Sequence, residues 1–288
     1  MERESLLTVL MILLGGAALQ VIGAWLSTRS RMTPGFERER AAWLRLWWPL
    51  TPALIVVAWL CGWALSEPDP VPDRVGPLVF IVCAPFVLIV MRAILRAGWS
   101  LLGGPEQFGI ATIGLIRPHI VFAPELARLL DDRALQAALA HERAHVRHRD
   151  PLRIWIAQFV TDLQWPWTSA QKRFERWLAA LERARDDEAR AEGIEGADLA
   201  AALVASVRFH RDKTITAGAT GACARLTGDR SALEERVARL LQPLAGEPKD
   251  RTPSPLQVAF LLSLALVSAI ALGVVYGERF VGTLLALS

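Results

Sequence analysis

Apolar residues in this chain are gathered into long blocks, and charged residues are gathered into others. Four stretches contain no charged residue and are rich in Leu, Val, Ile, Ala and Trp, namely residues 5–28, 46–66, 75–91 and 252–277. A helix needs about 20 apolar residues to cross a hydrocarbon core roughly 30 Å thick. We therefore predict a mainly α membrane protein with four transmembrane helices, at residues 5–28, 46–66, 75–97 and 254–277.

Two other interpretations of the apolar blocks were weighed. They could be buried helices of a soluble core, but four such stretches in a chain of 288 residues are hard to reconcile with one. The first block could be a cleaved signal peptide. Its start, Met1-Glu2-Arg3-Glu4, lacks a positively charged region, and the apolar run is too long for a signal sequence.

The charges between the blocks predict the orientation of the chain. The loop after the first span carries two glutamates against five arginines, which are Arg29, Arg31, Arg38, Arg40 and Arg45. Loops enriched in arginine and lysine stay in the cytoplasm, so this loop is expected to be cytoplasmic. The third span then returns the chain to the same side. The long polar stretch 98–253, between the third and fourth spans, is therefore predicted to be a cytoplasmic domain.

Composition agrees with this division and excludes other classes. Hydrophobic residues make up 53% of the chain and charged residues 21%, which requires their segregation. The net charge of +3 and a pI near 9.0 could suggest a nucleic-acid partner, but arginine at the inner membrane face accounts for much of both. We expect no direct binding of nucleic acid. The three cysteines, Cys61, Cys83 and Cys223, have no spacing typical of a disulfide framework or a thiolate zinc site.

Three of the five histidines lie within eight residues, in the run LAHERAHVRHRDP at 139–151. The run is predicted to lie on a helix from Arg133 to about Arg149, with Asp131 and Asp132 at its start and Pro151 beyond its end. The alternative to a metal site is a chance pattern on a charged, basic helix.

The spacing of two of these histidines suits a metal ion. Positions i and i+4 share one face of a helix, about 6 Å apart along the axis, so His141 and His145 can converge on one zinc ion. Glu142 is offset by one residue and can reach a water molecule beside the metal, which is why HExxH is typical of zinc hydrolases. His148 lies about 10 Å along the axis from His141 and is not expected to be a ligand.

A catalytic zinc ion usually has a third protein ligand. In the run LERARDDEA at 181–189, Glu182 and Asp186 are i and i+4 on a predicted helix that spans about 169–192. One carboxylate could bind zinc while the other accepts the N–H of a ligand histidine. Most runs of this kind are solvated charges, and the sequence leaves both interpretations open.

Other elements of the polar stretch are read from local patterns. β-branched residues at 109–124, broken by Gly114 and bracketed by prolines, predict two short strands whose edge could add an extended peptide as a further strand. Two later helices are predicted at about 197–210 and 231–241. Between them, residues 214–227 are rich in Gly, Ala and Thr and predict a mobile loop.

Three runs together resemble the BlaR/MecR antirepressor family of integral-membrane zinc metallopeptidases: IGLIRPHIVFAP, then HERAHVRHRDP, then ERARDDEA. The resemblance implies an α+β, zincin-like metallopeptidase domain between the third and fourth spans, with Zn²⁺ as cofactor. Carried over position by position, it implies Glu142 as the general base. It implies three zinc ligands, which are His141, His145 and Glu182. It also implies two supporting carboxylates, which are Asp186 and Asp150.

The sequence departs from the family pattern at two positions near the site. His148 stands where Arg or Lys is more common, and Arg185 stands where a cysteine commonly precedes the aspartate. Antibiotic-sensing members also continue past the fourth span into an external penicillin-binding domain. This sequence ends at Ser288, so we expect no such sensor domain and no recognition of a β-lactam by that route.

The resemblance implies a metalloendopeptidase of the bacterial inner membrane that is multi-pass, with a cytoplasmic catalytic domain. Its substrate would be a cytoplasmic protein, such as a winged-helix transcriptional repressor, or the chain itself, in transmembrane signalling. Alternatives are an HtpX/Ste24-like quality-control protease and a non-catalytic membrane receptor or scaffold. The partners expected are therefore the lipid bilayer and a protein substrate, and homo-oligomerisation stays open.

Overall fold

The computed structural model describes residues 39–66, 77–102, 110–165, 167–217, 230–243 and 255–287. These residues are mostly helical, as predicted, and contain one two-stranded antiparallel sheet. They divide into two compact units, one drawn from residues 1–96, 159–175 and 250–288, the other from residues 97–158 and 176–249. The second unit contains the motif helix and falls almost wholly within the predicted domain 98–253, whereas residues 159–175 of that range pack with the first unit.

The elements are numbered in chain order along the described residues. The strands are β1 (Ile110–Ile113) and β2 (His119–Phe122). The helices are α1 (Glu39–Trp47), α2 (Thr51–Ser66), α3 (Pro77–Leu102), α4 (Pro124–Leu129), α5 (Asp132–His148), α6 (Asp150–Leu163), α7 (Thr168–Ala191), α8 (Gly196–Ala217), α9 (Arg230–Leu240) and α10 (Pro255–Leu287), with a 3-10 turn, Trp48–Leu50, between α1 and α2.

In the first unit, two stretches of the described chain are long and apolar enough to cross a membrane: Glu39–Ser66 and Gln257–Gly277. The first stretch contains the second predicted span, 46–66, and the second stretch covers residues 257–277 of the fourth predicted span, 254–277. α2 and α10 pack so closely that a Cβ atom at Gly62 would overlap the backbone carbonyl of Ile270. The third predicted span lies in α3, and the first lies outside the described residues. The arrangement of four spans therefore stays a prediction.

The second unit is built on small side chains. Ala137 and Ala140 on α5 pack against Leu199 and Ala200 on α8 and against Leu240 on α9. All five are buried, and alanine at the contact lets helix backbones approach one another closely. This core fixes α5, which carries the HExxH run, relative to the two helices that follow α7.

The two strands form as their β-branched residues predict. They pair antiparallel, with Ile110 opposite Phe122 and Ile113 opposite His119. Gly114 follows β1 with φ of 95°, a conformation that favours glycine, and a Cβ atom there would lie 2.7 Å from the carbonyl oxygen of Arg117. β1 packs beside α5, so the sheet lies next to the HExxH run.

Three elements differ from the sequence-based expectation. α4 and α6 were not predicted, because prolines usually interrupt helices and each of these segments has a proline near its start. In the structure, Pro124 and Pro151 stand in the first turns of α4 and α6, where proline is tolerated. The loop predicted from residue 214 was wrong at its start, since α8 continues to Ala217. The two threonines there weaken a helix only slightly, and no proline or glycine lies between Gly196, the first residue of α8, and Gly218.

Candidate metal centre

The helix that carries the HExxH run is α5, and both of its ends are set by local chemistry. The side chain of Asp131 accepts a hydrogen bond from the backbone N–H of Ala134 at 2.7 Å, the cap expected from the sequence. At the other end Arg149 adopts a left-handed conformation with φ of 52°. Such a φ is uncommon outside glycine, and it lets the chain turn sharply from α5 into α6.

His141 and His145 lie one turn apart on α5, as their spacing predicts. Their Nε2 atoms are 3.1 Å apart, and their rings meet edge to face with centroids 4.7 Å apart. Two ligand atoms bound to one tetrahedral zinc ion at 2.0–2.1 Å are separated by about 3.4 Å. The pair of nitrogens therefore has nearly the separation that a shared zinc ion requires.

Glu182 brings a third ligand from α7. Its Oε2 lies 3.4 Å from His141 Nε2, and its Oε1 lies 3.7 Å from His145 Nε2. The possible ligand atoms of these three residues all lie within 4.8 Å of one another. Two imidazoles and one carboxylate form a common donor set of catalytic zinc sites, so these residues fit the metal that the sequence predicts.

Behind His145 stands Asp150, which is fully buried. His145 Nδ1 lies 2.8 Å from Asp150 Oδ2, so the imidazole N–H donates to the carboxylate and leaves Nε2 free for a metal. Arg185 holds the same carboxylate with two contacts, Nε to Oδ2 at 2.5 Å and Nη2 to Oδ1 at 3.0 Å. Arg153 adds a contact at 3.0 Å to Oδ1.

Behind His141 stands Asp186, which is 1% exposed. His141 Nδ1 lies 2.9 Å from Asp186 Oδ1, but its N–H is not well aligned with the oxygen for a full hydrogen bond. Arg236 on α9 holds Asp186 through Nε at 2.7 Å and Nη2 at 2.8 Å. The same guanidinium reaches Glu182, with Nη1 3.0 Å from Oε2. Neither acid is therefore part of a solvated charge run.

These contacts shift the protonation of the centre. Burial alone would lower the pKa of His141, but Asp186 and Glu182 outweigh it and raise the pKa to about 9. Burial alone would raise the pKa of Glu182 and of Asp186, but the charge of Arg236 and the contacts with His141 hold both well below the usual range. In the absence of a metal, His141 is therefore protonated at neutral pH.

A corresponding balance holds at Asp150. Burial would raise its pKa, but the hydrogen bonds from His145 and Arg185 outweigh burial and hold the pKa well below the usual range. The carboxylate is consequently ionised wherever the protein is folded near neutral pH. Each ligand histidine thus faces a carboxylate that an arginine keeps charged.

Glu142, the predicted general base, is held from the sheet. Thr112 on β1 donates from Oγ1 to Glu142 Oε2 at 2.7 Å, and the same hydroxyl lies 3.0 Å from the backbone carbonyl oxygen of Glu142. One hydroxyl hydrogen serves one of these acceptors at a time. Because Oε2 has this partner, Oε1 is the oxygen left to exchange a proton with water.

His148 points to a different partner. It is exposed, and its Nε2 lies 3.0 Å from Glu188 Oε2 on α7. This agrees with the expectation that His148 is not a ligand, because its side chain bonds away from the pair of Nε2 atoms on His141 and His145.

Three residues of the centre were not singled out from the sequence: Thr112, Arg153 and Arg236. Arg236 lies in the predicted helix at 231–241, but nothing in its local pattern distinguishes it from the neighbouring Arg239. Thr112 is the one polar side chain of β1, which is a weak signal for a polar contact. Arg185 was noted only as a departure from the family pattern, and its pairing with Asp150 gives that departure a structural role.

The geometry can be compared with known families at this point. Residues 110–167 match the family model described as BlaR1 peptidase M56. The matched segment runs from β1 through the HExxH helix and α6, and the family consists of metallopeptidases that typically bind zinc. It supports the resemblance seen in the sequence and indicates a metallopeptidase of the BlaR1 type. The match ends before Glu182, so the comparison does not bear on that residue, which the structure brings close to His141 and His145.

No curated protein and no solved structure is similar enough to the chain to count as a match.

Proposed function

We propose that this chain is an integral-membrane zinc metalloendopeptidase. One observation carries the proposal: His141, His145 and Glu182, from two helices, bring their ligand atoms within 4.8 Å of one another beside Glu142, and the HExxH helix lies in the segment that matches BlaR1 peptidase M56.

The chain's own residues have defined tasks in peptide hydrolysis. When bound, zinc supplies a Lewis acid that lowers the pKa of water and polarises the scissile carbonyl. Glu142 Oε1 accepts a proton from the attacking water, whose oxygen bonds to the carbonyl carbon. Glu142 Oε1 then delivers that proton to the amide nitrogen as the C–N bond breaks. Thr112 keeps Glu142 facing the reaction through its contact with Oε2.

The membrane setting is the second part of the proposal. It is supported by the two apolar stretches Glu39–Ser66 and Gln257–Gly277. α10 exposes large apolar side chains along its length, among them Phe260, Leu264 and Val267. Exposed apolar surface of this extent is unfavourable in water and suits lipid. We propose a multi-pass protein of the bacterial inner membrane whose catalytic domain is cytoplasmic.

The substrate proposal rests on the family resemblance. We propose a cytoplasmic protein, either a winged-helix repressor or the chain itself, of which an extended segment adds as a strand to the β1–β2 sheet. A quality-control protease would share the chemistry but cleave many unfolded membrane proteins. Sequencing of new N-termini in cells with and without active protein distinguishes one dominant cleavage from many.

The decisive experiment uses the full chain in detergent and compares the wild type with Glu142→Ala and Glu182→Ala. Zinc content is measured by mass spectrometry, and cleavage is followed as self-cleavage on a gel and as release of fluorescence from labelled casein. We expect about one zinc per chain in the wild type and in Glu142→Ala, and a loss of zinc in Glu182→Ala. Cleavage should fall by at least about 100-fold in both variants.

Glu175→Ala is the matched control, because Glu175 is an exposed carboxylate on the same helix, where it is paired with Gln171. It should keep both zinc and activity. Zinc binding without cleavage of casein or of the chain itself would favour the receptor or scaffold. Full zinc content in Glu182→Ala would show that the ligand set is wrong.

A further inference from the structure

Arg236 contacts both Asp186, which faces His141, and Glu182, the third residue of the proposed metal site. It contacts Asp186 through two nitrogens, at 2.7 and 2.8 Å, and Glu182 through a third, at 3.0 Å. Its side chain is 20% exposed, so most of it is removed from solvent. The steps of peptide hydrolysis proposed for Glu142 and Thr112 give the guanidinium of Arg236 no task.

The contact described between Arg236 and Glu182 is made at Oε2. Nη1 of Arg236 approaches Oε2, whereas Oε1 is the oxygen nearer to His145, at 3.7 Å from its Nε2. A carboxylate with one oxygen held by an arginine has the other oxygen available to a metal. The contact restricts the rotation of the carboxylate, whose Oε2 lies 3.4 Å from His141 Nε2 and whose Oε1 lies 3.7 Å from His145 Nε2.

The contact with Asp186 acts on a different ligand. Asp186 lies 2.9 Å from His141 Nδ1, and Arg236 grips its carboxylate with the planar fork of Nε and Nη2. A carboxylate held at both oxygens keeps the imidazole ring in one orientation, with Nε2 toward the metal. One guanidinium therefore orients two of the three ligands.

Packing fixes the helix from which Arg236 reaches the centre. Val237 and Leu240 of α9 pack into the apolar core that includes Ala137 and Ala140 of α5. A Cβ atom at Gly196 would overlap the carbonyl oxygen of Leu240, so the end of α9 lies directly against the start of α8. Arg239, one turn from Arg236, pairs with Asp187.

We propose that Arg236 is a positioning residue of the metal centre, which holds Glu182 and Asp186 so that Glu182 and His141 converge on one zinc ion. The proposal rests on the proposed function, because it assumes that the centre binds zinc. The three nitrogens that contact the acids also leave the guanidinium poorly placed to bind a substrate carbonyl. Its role is therefore exerted through the ligands rather than on the substrate.

A purely electrostatic account makes the opposite prediction. A fixed positive charge 3.0 Å from one oxygen of the Glu182 carboxylate repels a zinc ion and competes with it for that carboxylate. If that were its main effect, replacing Arg236 by a neutral residue would strengthen zinc binding. The sign of the change in affinity therefore decides between the two accounts.

The experiment measures the zinc dissociation constant of the full chain in detergent by competition with a chelator. For Arg236→Met we expect weaker binding by about 10- to 100-fold, the usual loss when a residue that supports a ligand is removed. Arg236→Lys keeps the charge but not the fork, so it should remain at least several-fold weaker than the wild type. The absorption spectrum of the cobalt-loaded protein should change in both variants, because the ligand geometry changes.

Arg239→Met is the matched control, since it removes an arginine from the same helix and frees an acid that is not a ligand. Its zinc affinity and cobalt spectrum should equal those of the wild type. Affinity that is unchanged or tighter in Arg236→Met overturns the inference; if that variant does not fold, wild-type affinity in Arg236→Lys does so. A wild type that binds zinc but cleaves nothing overturns the proposed function and leaves this result standing.

Discussion

The two histidines of the centre are supported by parallel chains of contacts that differ in how they are built. In the Asp150 branch, His145 contacts Asp150, which Arg185 holds with two nitrogens. In the Asp186 branch, His141 contacts Asp186, which Arg236 holds with two nitrogens. Both follow the order histidine, aspartate, arginine, so the differences between them isolate what each one contributes.

The Asp150 branch is local and enclosed. Asp150 is five residues from His145, the left-handed Arg149 turns it back toward the imidazole, and the side chain of Arg185 is only 3% exposed. The hydrogen bond between His145 and Asp150 is aligned. This branch is buried like a core element, and we infer that it supports the fold as much as the metal.

The Asp186 branch is more exposed and less closely fitted. Arg236 is 20% exposed, and the contact between His141 and Asp186 is short but poorly aligned. Its arginine, Arg236, also contacts Glu182, the third residue of the proposed metal site. We infer that this branch mainly orients ligands, so its loss should weaken the metal site before it weakens the fold.

The largest effect is expected from Asp150→Ala. It leaves Arg185 buried without its bidentate partner, and removing one member of a buried ion pair costs about 3–5 kcal/mol of stability. We expect a melting midpoint far below that of the wild type, or failure to accumulate, measured on zinc-free protein by far-UV circular dichroism.

The control for this result is the double variant Asp150→Ala with Arg185→Met. Apolar replacements of a buried ion pair are often neutral for stability, so much of the lost stability should return. Zinc binding should nevertheless stay weak, because His145 lacks its acceptor. If the double variant is as unstable as the single one, the cost does not come from the loss of the contact between Arg185 and Asp150.

The next largest effect is expected from Asp186→Ala, on zinc binding rather than on stability. Arg236 keeps its contact with Glu182 and some access to water, so less charge is left unpaired than in Asp150→Ala. Zinc affinity should fall by about 10- to 100-fold, since His141 is no longer oriented. Chelator competition measures the affinity, and circular dichroism measures the melting midpoint. A fall in stability as large as that of Asp150→Ala would remove the distinction between the branches.

A smaller, graded effect is expected from pH. The pKa of His141 is raised from 6.5 to about 9, so zinc must displace a proton at neutral pH. Zinc affinity should therefore rise by about tenfold for each unit of increase in pH up to about 9, and level off above that pH. In the zinc-free protein the raised pKa stabilises the fold fully below pH 6.5, and this contribution is lost as pH rises through 9.

The pH effect belongs to the Asp186 branch, which gives it a specific control. Asp186→Asn removes a charge that raises the pKa of His141, so the rise in zinc affinity should level off at a lower pH than in the wild type. Isothermal titration at several pH values gives the affinity at each. An unchanged pH profile in Asp186→Asn would mean that the proton displaced by zinc is not on His141.

The parts of this centre that sequence alone predicts are those fixed within one helix. His141, Glu142 and His145 are related by helical spacing, and the Asp131 cap places the helix. The side-chain contacts of α7 were harder to predict. Glu182 and Asp186 share a face by the same rule, but only the tertiary structure shows that this face meets α5 rather than solvent.

Apart from Arg153, whose described contact with Asp150 lies within α6, the residues that the sequence did not indicate act across elements. Arg236 reaches the centre because Val237 and Leu240 on the same helix pack into the core, and a helix pattern does not specify which arginine will face inward. Asp150 was expected only from the family resemblance, since its approach to His145 depends on a left-handed Arg149 that no propensity favours. Side-chain position at long range is decided by packing, and the local sequence carries little information about it.

The smallest effect is expected at Thr112, which belongs to neither branch. Thr112→Val removes the hydroxyl that contacts Glu142 Oε2 and keeps the shape of the side chain nearly unchanged. A lost hydrogen bond of about 1 kcal/mol corresponds to a fall of about fivefold in kcat/KM for casein cleavage. Zinc affinity should be unchanged, because the described contacts of the Thr112 hydroxyl are with Glu142 and not with a proposed ligand. Thr112→Ser keeps a hydroxyl and should recover most of the activity. If Thr112→Val also weakened zinc binding, the sheet would have to be counted as a third support of the metal, beside the two branches.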